Sequence, residues 1–223
     1  MRENSDQHYN SLSDGDVTHL PPWTLRGRGW LALYHLGPAR LRPAGVGALL
    51  LVRYVASPVG PYDELMWVDA PVATPVGGRP SIRRIVVSTA ASVTWGRHNW
   101  AIPKAQATFD WSVPGQVRVT GAGGEPYAHL AFGCTGPALP VDAAWLPRAW
   151  RTVAQPALDG GSEWLLTTIG GMAWACPARL TVLHAQGLKE ELTAQRPLLG
   201  VGFSEVRLHF PEPERWPAPE LGT

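Results

Sequence analysis

The stretch ALLLVRYVAS, residues 48–57, is a near-continuous apolar run of strand length, the pattern of a strand buried on both faces. The turn signal SPVGPYD follows it, and then ELMWVDAPV at 64–72 reads as a second strand. Working outward, WLALYHL at 30–36 carries β-favouring aromatics, and RRIVVSTAASVTW at 83–95 is rich in Val, Ile, Ser and Thr and reads as a strand. ATFDWSV at 107–113 and QVRVTG at 116–121 alternate on either side of the Pro114-Gly115 turn, and YAHLAFG follows the loop GAGGEP. WLLTTIGGMAW at 164–174, ARLTVLHAQ at 178–186 and GFSEVRLHF at 202–210 complete about nine short strands. Helical signals are few: DAAWLPRAWRTVA at 142–154 is broken by Pro147, and LKEELTAQ at 188–195 allows two turns. The expectation is a mainly β (α+β) single domain, a curved antiparallel sheet closing on itself with a few short flanking helices.

Composition agrees with this and narrows the function. The chain has 223 residues, 45% of them hydrophobic, enough for a sizeable core. Gly (24) and Pro (22) are abundant, which suits a turn-rich β protein. Lys plus Arg number 19 against 18 Asp plus Glu, so there is no basic field for nucleic acid. The polar first 20 residues lack a signal-peptide core, and the longest apolar run is too short to span a bilayer. The expected protein is soluble, by default cytoplasmic, with a flexible tail over 1–20, one domain over 21–212 and a Pro-rich, irregular tail over 213–223. Two cysteines argue against a disulfide framework or a thiolate metal cage, and the scattered His residues suggest no metal site.

Of the 19 cations, 17 are Arg; the two lysines are Lys104 and Lys189. Arg stays protonated, whereas a buried Lys can lose its proton and become a nucleophile. Lys189 lies in the polar run LKEEL and needs no special explanation. Lys104 ends WGRHNWAIPK, where Trp95, Trp100, Ala101, Ile102 and Pro103 supply apolar surface. Burial there is expected to lower the amine pKa, with Arg28 or Arg97 adding like-charge repulsion. A free amine attacks ketones to form a Schiff base. Taken without any family, a lysine snorkelling from an apolar wall remains the commoner explanation of such a segment. Asp63 and Glu64 follow a Gly-Pro turn at a strand start, where alternation sends one to a cavity and the other to solvent. Arg26 and Arg28 precede a third strand, and an Arg facing a cavity suits a carboxylate.

These segments resemble the acetoacetate decarboxylase-like family. Gly96-Arg97-x-x-Trp100-x-x-Pro103-Lys104 is similar to its Gly-Arg…Pro-Lys segment, which carries the Schiff-base lysine. Gly60-Pro61-Tyr62-Asp63-Glu64 is similar to its Tyr-x-Glu segment, and Gly27-Arg28-Gly29-Trp30 to its arginine before an aromatic. The match runs from about Pro21 to Trp111, and Ala105 replaces the second lysine of the decarboxylase proper. The resemblance implies a cone-like β barrel, a homo-oligomer, no metal or organic cofactor, and a small keto-acid substrate. It makes Lys104 the nucleophile, Glu64 an acid/base or positioning group, and Arg28 a cation near the lysine or the substrate carboxylate, all three converging on one cavity. Tyr62, Arg97 and Trp100 are the expected substrate-binding residues. The expected activity is Schiff-base decarboxylation of a β-keto acid. The alternatives are a lysine-dependent aldolase or dehydratase acting on a 2-oxo acid, or a non-catalytic barrel binding a small ligand.

Overall fold

The apolar run at 48–57 forms most of strand β2 (Gly45–Ala56), with Leu49 and Leu51 buried on one face and Val52 and Tyr54 on the other. It lies between β1 (Trp23–Leu36) and β3 (Tyr62–Val72), and β4 (Arg79–Val87) follows β3. Helix α1 (Ala90–Trp100) then crosses to β5 (Lys104–Asp110). After β5 come β6 (Gln116–Gly121), β7 (Pro126–Cys134) and β8 (Leu139–Asp142), then the single turn α2 (Arg148–Arg151). The chain continues through β9 (Thr152–Pro156), β10 (Glu163–Thr168), β11 (Gly170–His184), β12 (Leu199–Phe210) and β13 (Glu214–Pro217). This computed structural model describes residues 19–38 and 44–217.

The main sheet runs β12-β1-β2-β3-β4-β5-β6-β7-β11-β8, and β12 also pairs with β11. Hydrogen bonding therefore closes into a ring, with β8 appended at its edge. A smaller sheet, β13-β10-β9, is hydrogen-bonded separately and packs on β4 through β9, where the buried Gln155 side chain accepts from Ser81 and donates to the Ile82 carbonyl. The large sheet is mixed rather than wholly antiparallel, because β4 and β5 pair in parallel (Ile85↔Lys104, Val86↔Ala105, Val87↔Gln106). A parallel pair needs a crossover, and α1 supplies it.

That helix corrects the expected strand at 83–95, which stops at Val87. Thr89 caps α1 by accepting a hydrogen bond from the Ser92 amide. Ala101 ends it in the left-handed region (φ 52°), its amide bonded to the Arg97 carbonyl, and Ile102 bonds back to Gly96. The β-rich composition of 83–95 concealed a boundary that Thr89-Ala90-Ala91 marks. The Pro-rich C-terminus is a second correction: β13 pairs with β10, so residues 214–217 are ordered sheet. The stretch 164–174 divides between β10 and β11. Residues 1–18 of the expected N-terminal tail lie outside the described residues. His19 is anchored, its carbonyl accepting from the Trp23 and Asn99 side chains and its ring edge-on to Trp95. Cys134 on β7 and Cys176 on β11 pair as one disulfide.

Strand alternation gives the sheet two apolar faces. The inner one fills the ring with Tyr34, Leu49, Leu51, Leu65, Trp67, Val117, Leu130 and Leu180 among others. The outer one is covered by α1 and contains Trp23, Tyr54, Tyr62, Met66, Ile85, Val87, Trp95 and Trp100. On β3, Leu65 and Trp67 face inward while Tyr62, Glu64 and Met66 share the α1 side.

Candidate active site

Lys104 is the first residue of β5, three residues after Ala101, the C-cap of α1. Its register partner Ile85 belongs to the outer cluster, so its side chain enters the space under the helix. Glu64 sits between Val52 and Val87 of the neighbouring strands and enters the same space. The two meet at 2.9 Å, Lys104 Nζ to Glu64 Oε2, each about 4% exposed. The ammonium also donates to Ser92 Oγ at 3.0 Å and lies 4.9 Å from the centre of the Tyr62 ring. Glu64 Oε1 accepts from the Tyr54 hydroxyl at 3.4 Å, and the Tyr54 and Tyr62 rings lie tilted against each other with centres 4.9 Å apart. An ion pair and three hydroxyl-bearing side chains thus sit in an otherwise apolar layer.

This arrangement overturns the expected direction of the lysine pKa. Burial does push it down, and that is the largest single influence. The Glu64 carboxylate, the Tyr62 phenol and the hydrogen bonds from both together outweigh it, so the amine is held above its ordinary value. The expected desolvation is present, but the Glu64 carboxylate at contact distance, with Tyr62, reverses its outcome. Burial likewise pushes Tyr62 up to about 12 and raises Tyr54 well above its usual value.

Arg28 lies elsewhere. It is exposed, and its register partner is Arg53, whose guanidinium sits 3.6 Å from Asp63 and 5.0 Å from the Trp111 ring centre. Asp63 Oδ2 accepts from Trp111 Nε1 at 2.9 Å. This cluster occupies the inner-face rim of the ring, on the opposite side of β3 from Glu64, so the structure brings Lys104, Glu64 and Tyr62 together and leaves Arg28 apart. Asp63 does not face open solvent: its side chain is 16% exposed. Arg97 is exposed and donates to the backbone carbonyl of Lys104 at 3.3 Å. Trp100 is buried, edge-on to Trp23 at 4.9 Å and bonded to the Pro211 carbonyl, so it builds the wall. Sequence reading missed Ser92 and Tyr54. Once α1 is recognised, Ser92 is legible, because it stands four residues before Gly96 on one helix face. Tyr54 carried no local signal; only the β2–β3 pairing, Tyr54↔Tyr62, brings it here.

A surface cleft lined by Gln116, Phe132, Arg179 and Thr181 lies on β6, β7 and β11, away from Lys104. Among the described residues no cluster of His, Cys, Asp and Glu could hold a metal ion, and no helix is long and apolar enough to cross a membrane.

The architecture is that of the acetoacetate decarboxylase-like fold. The crystal structure of acetoacetate decarboxylase from Legionella pneumophila subsp. pneumophila str. Philadelphia 1 superposes with a TM-score of 0.66 at 16% identity, over 98% of this chain and 99% of that one. An acetoacetate decarboxylase-like enzyme from Sphingomonas wittichii RW1 gives 0.63 at 16% identity, covering 91% and 95% of the two chains. The enduracididine biosynthesis enzyme MppR complexed with pyruvate gives 0.62 at 11%, covering 91% and 93%. No protein-family profile matches the chain. A curated rice (Oryza sativa subsp. japonica) protein, NEOXANTHIN-DEFICIENT 1, is 32% identical over 105 residues; the match spans 40% of this chain and only 34% of that protein. The resemblance drawn from three short segments therefore holds at the level of the whole fold.

Proposed function

We propose that the chain is an acetoacetate decarboxylase-like enzyme in which Lys104 forms a Schiff base with a small keto acid and releases its carboxyl group as carbon dioxide. The observation that carries this reading is the Lys104–Glu64 contact of 2.9 Å, with both groups buried in an apolar layer. In the resting pair the nucleophile is masked as an ammonium. When a ketone approaches, Glu64 takes one proton from the Lys104 ammonium, and the freed amine adds to the carbonyl carbon. Glu64 returns the proton to the carbinolamine hydroxyl, which leaves as water, and the iminium forms. The bond to the carboxyl carbon then breaks, its electron pair passes into the enamine, and carbon dioxide departs. Protonation of the enamine carbon and attack of water release the ketone and restore Lys104. Ser92, Tyr62 and Tyr54 are all uncharged partners of the pair. A substrate carboxylate held beside them, with no cation but the iminium that serves as the electron sink, is destabilised relative to a transition state in which its charge disperses, which favours decarboxylation.

A second reading keeps the imine and changes its fate: an aldolase or dehydratase acting on a 2-oxo acid. Solved structures of MppR, which shares the fold, show it complexed with pyruvate and with the condensation product of pyruvate and imidazole 4-carboxaldehyde. Intact mass after borohydride reduction, with acetoacetate and pyruvate as probes, tests both. An adduct on Lys104 with carbon dioxide release supports the first reading. An adduct without release supports the second. No adduct with either probe overturns the imine chemistry and leaves a ligand-binding or structural ion pair.

A further inference from the structure

We propose that Ser92 and Gly96, one turn apart on α1, form a slot that sets the path and reach of the Lys104 side chain, with Gly96 as its positioning residue. This rests on the reading of Lys104 as the nucleophile and adds how its amine is aimed. Residues four apart share a helix face, and both of these are buried against β5. A Cβ placed on Gly96 would come within 2.6 Å of Lys104 Cδ, 2.8 Å of Cε and 3.4 Å of Nζ. The end of the lysine therefore runs along the helix backbone at the one point where no side chain stands in its way. The Tyr62 ring closes the opposite side at 4.9 Å, Ser92 Oγ accepts from the amine at 3.0 Å, and Glu64 meets it at 2.9 Å.

Glycine inside a helix is disfavoured against alanine, and Gly96 does not sit among the positive-φ glycines that need backbone freedom. Close approach of the lysine is the remaining physical reason for it. Any side chain at 96 must push the amine off the line between Ser92 and Glu64 or lift α1 from β5.

Gly96→Ala tests this, with two readouts that need no turnover. The chain has two lysines, so isotope-labelled lysine gives two assignable signals, Lys104 and Lys189. In Gly96→Ala the Lys104 signal should move and its titration midpoint should fall as contact with Glu64 is lost, while Lys189 stays put. Trapping of acetoacetate by borohydride should drop by about a hundredfold, the scale of an ångström-sized misplacement. The melting temperature should fall for Gly96→Ala in the native chain but rise in a Lys104→Ala chain, where the methyl enters vacated space and favours the helix. An unmoved Lys104 signal, or the same melting shift in both backgrounds, overturns the slot. If the native chain traps no carbonyl compound, the nucleophile reading fails on its own, and the lysine signal and the paired melts still decide the slot.

Discussion

Asp63 and Glu64 are adjacent on β3, and each is paired with a cation from another strand and a hydrogen-bond donor from elsewhere in the chain. Their surroundings differ because alternation sends them to opposite faces. Glu64 meets a lysine under α1, both nearly sealed. Asp63 meets an arginine whose side chain is 41% exposed, at the rim of the ring. In water-screened surroundings such a pair contributes little, whereas in an apolar layer each charge depends on the other. The same two-residue segment thus holds one pair with chemical potential and one ordinary rim contact. Burial rather than residue type separates them.

The most damaging change should be at the nucleophile. Lys104→Arg keeps a charge and removes the amine, so borohydride labelling should vanish entirely while circular dichroism retains the β signature. Residual labelling would mean that another amine reacts.

Next in size is the stability contrast between the two pairs. Glu64→Ala strands a buried ammonium and should cost about 3–5 kcal/mol in urea unfolding. Asp63→Ala removes a screened pair and one hydrogen bond and should cost about 1–2 kcal/mol. Equal costs would erase the distinction between the faces.

Glu64→Gln should remove the larger Coulombic support and keep the desolvation, so the Lys104 pKa should fall from its native position, with Tyr62 left as its remaining raising partner. Labelling should persist, because the nucleophile survives, while turnover slows for want of the proton carrier. A titration midpoint unchanged from the native chain would show that the pair is not ionic.

Alkaline pH acts on the buried face in a defined direction. Lys104 and Tyr62 both have folded-state pKa values above their unfolded ones, Tyr62 at about 12. Their contribution is therefore complete below about pH 10, the unfolded range, and is lost as pH rises through the folded values. The urea midpoint should decline between about pH 10 and 12, and the lysine's part of that decline should shrink in Glu64→Gln.

The smallest effect belongs to the rim. Burial raises the Asp63 pKa, against the lowering effects of Trp111, Arg53 and Arg28. Its contribution is greatest below its unfolded value and diminishes as pH rises through the folded one, so at neutral pH the carboxylate is no net asset. Asp63→Asn keeps an acceptor for Trp111 and should shift stability by no more than about 0.5 kcal/mol and leave turnover intact. A large loss of turnover would move the site to the inner face.

Much of this was legible in the residues. The run at 48–57 is β2, and the rarity of lysine pointed to Lys104 before any fold was known. Alternation separated Asp63 from Glu64 and put Tyr62 beside the latter. The helix at 90–100 was obscured because Val93, Thr94 and Trp95 favour strands, and its cap and tertiary packing outweigh that preference.

The sequence by itself determined the β class, the chain positions of most main strands and the apolar setting of Lys104, since periodicity and composition are local properties. Only the tertiary structure decided the parallel β4–β5 pair, the partnership of Tyr54 and Ser92 with the ion pair, the place of Arg28 on the other face, and the raised lysine pKa. Each of these depends on which distant strands come within a few ångströms, and at that range the sign of an electrostatic effect is set by the neighbour rather than by the residue itself.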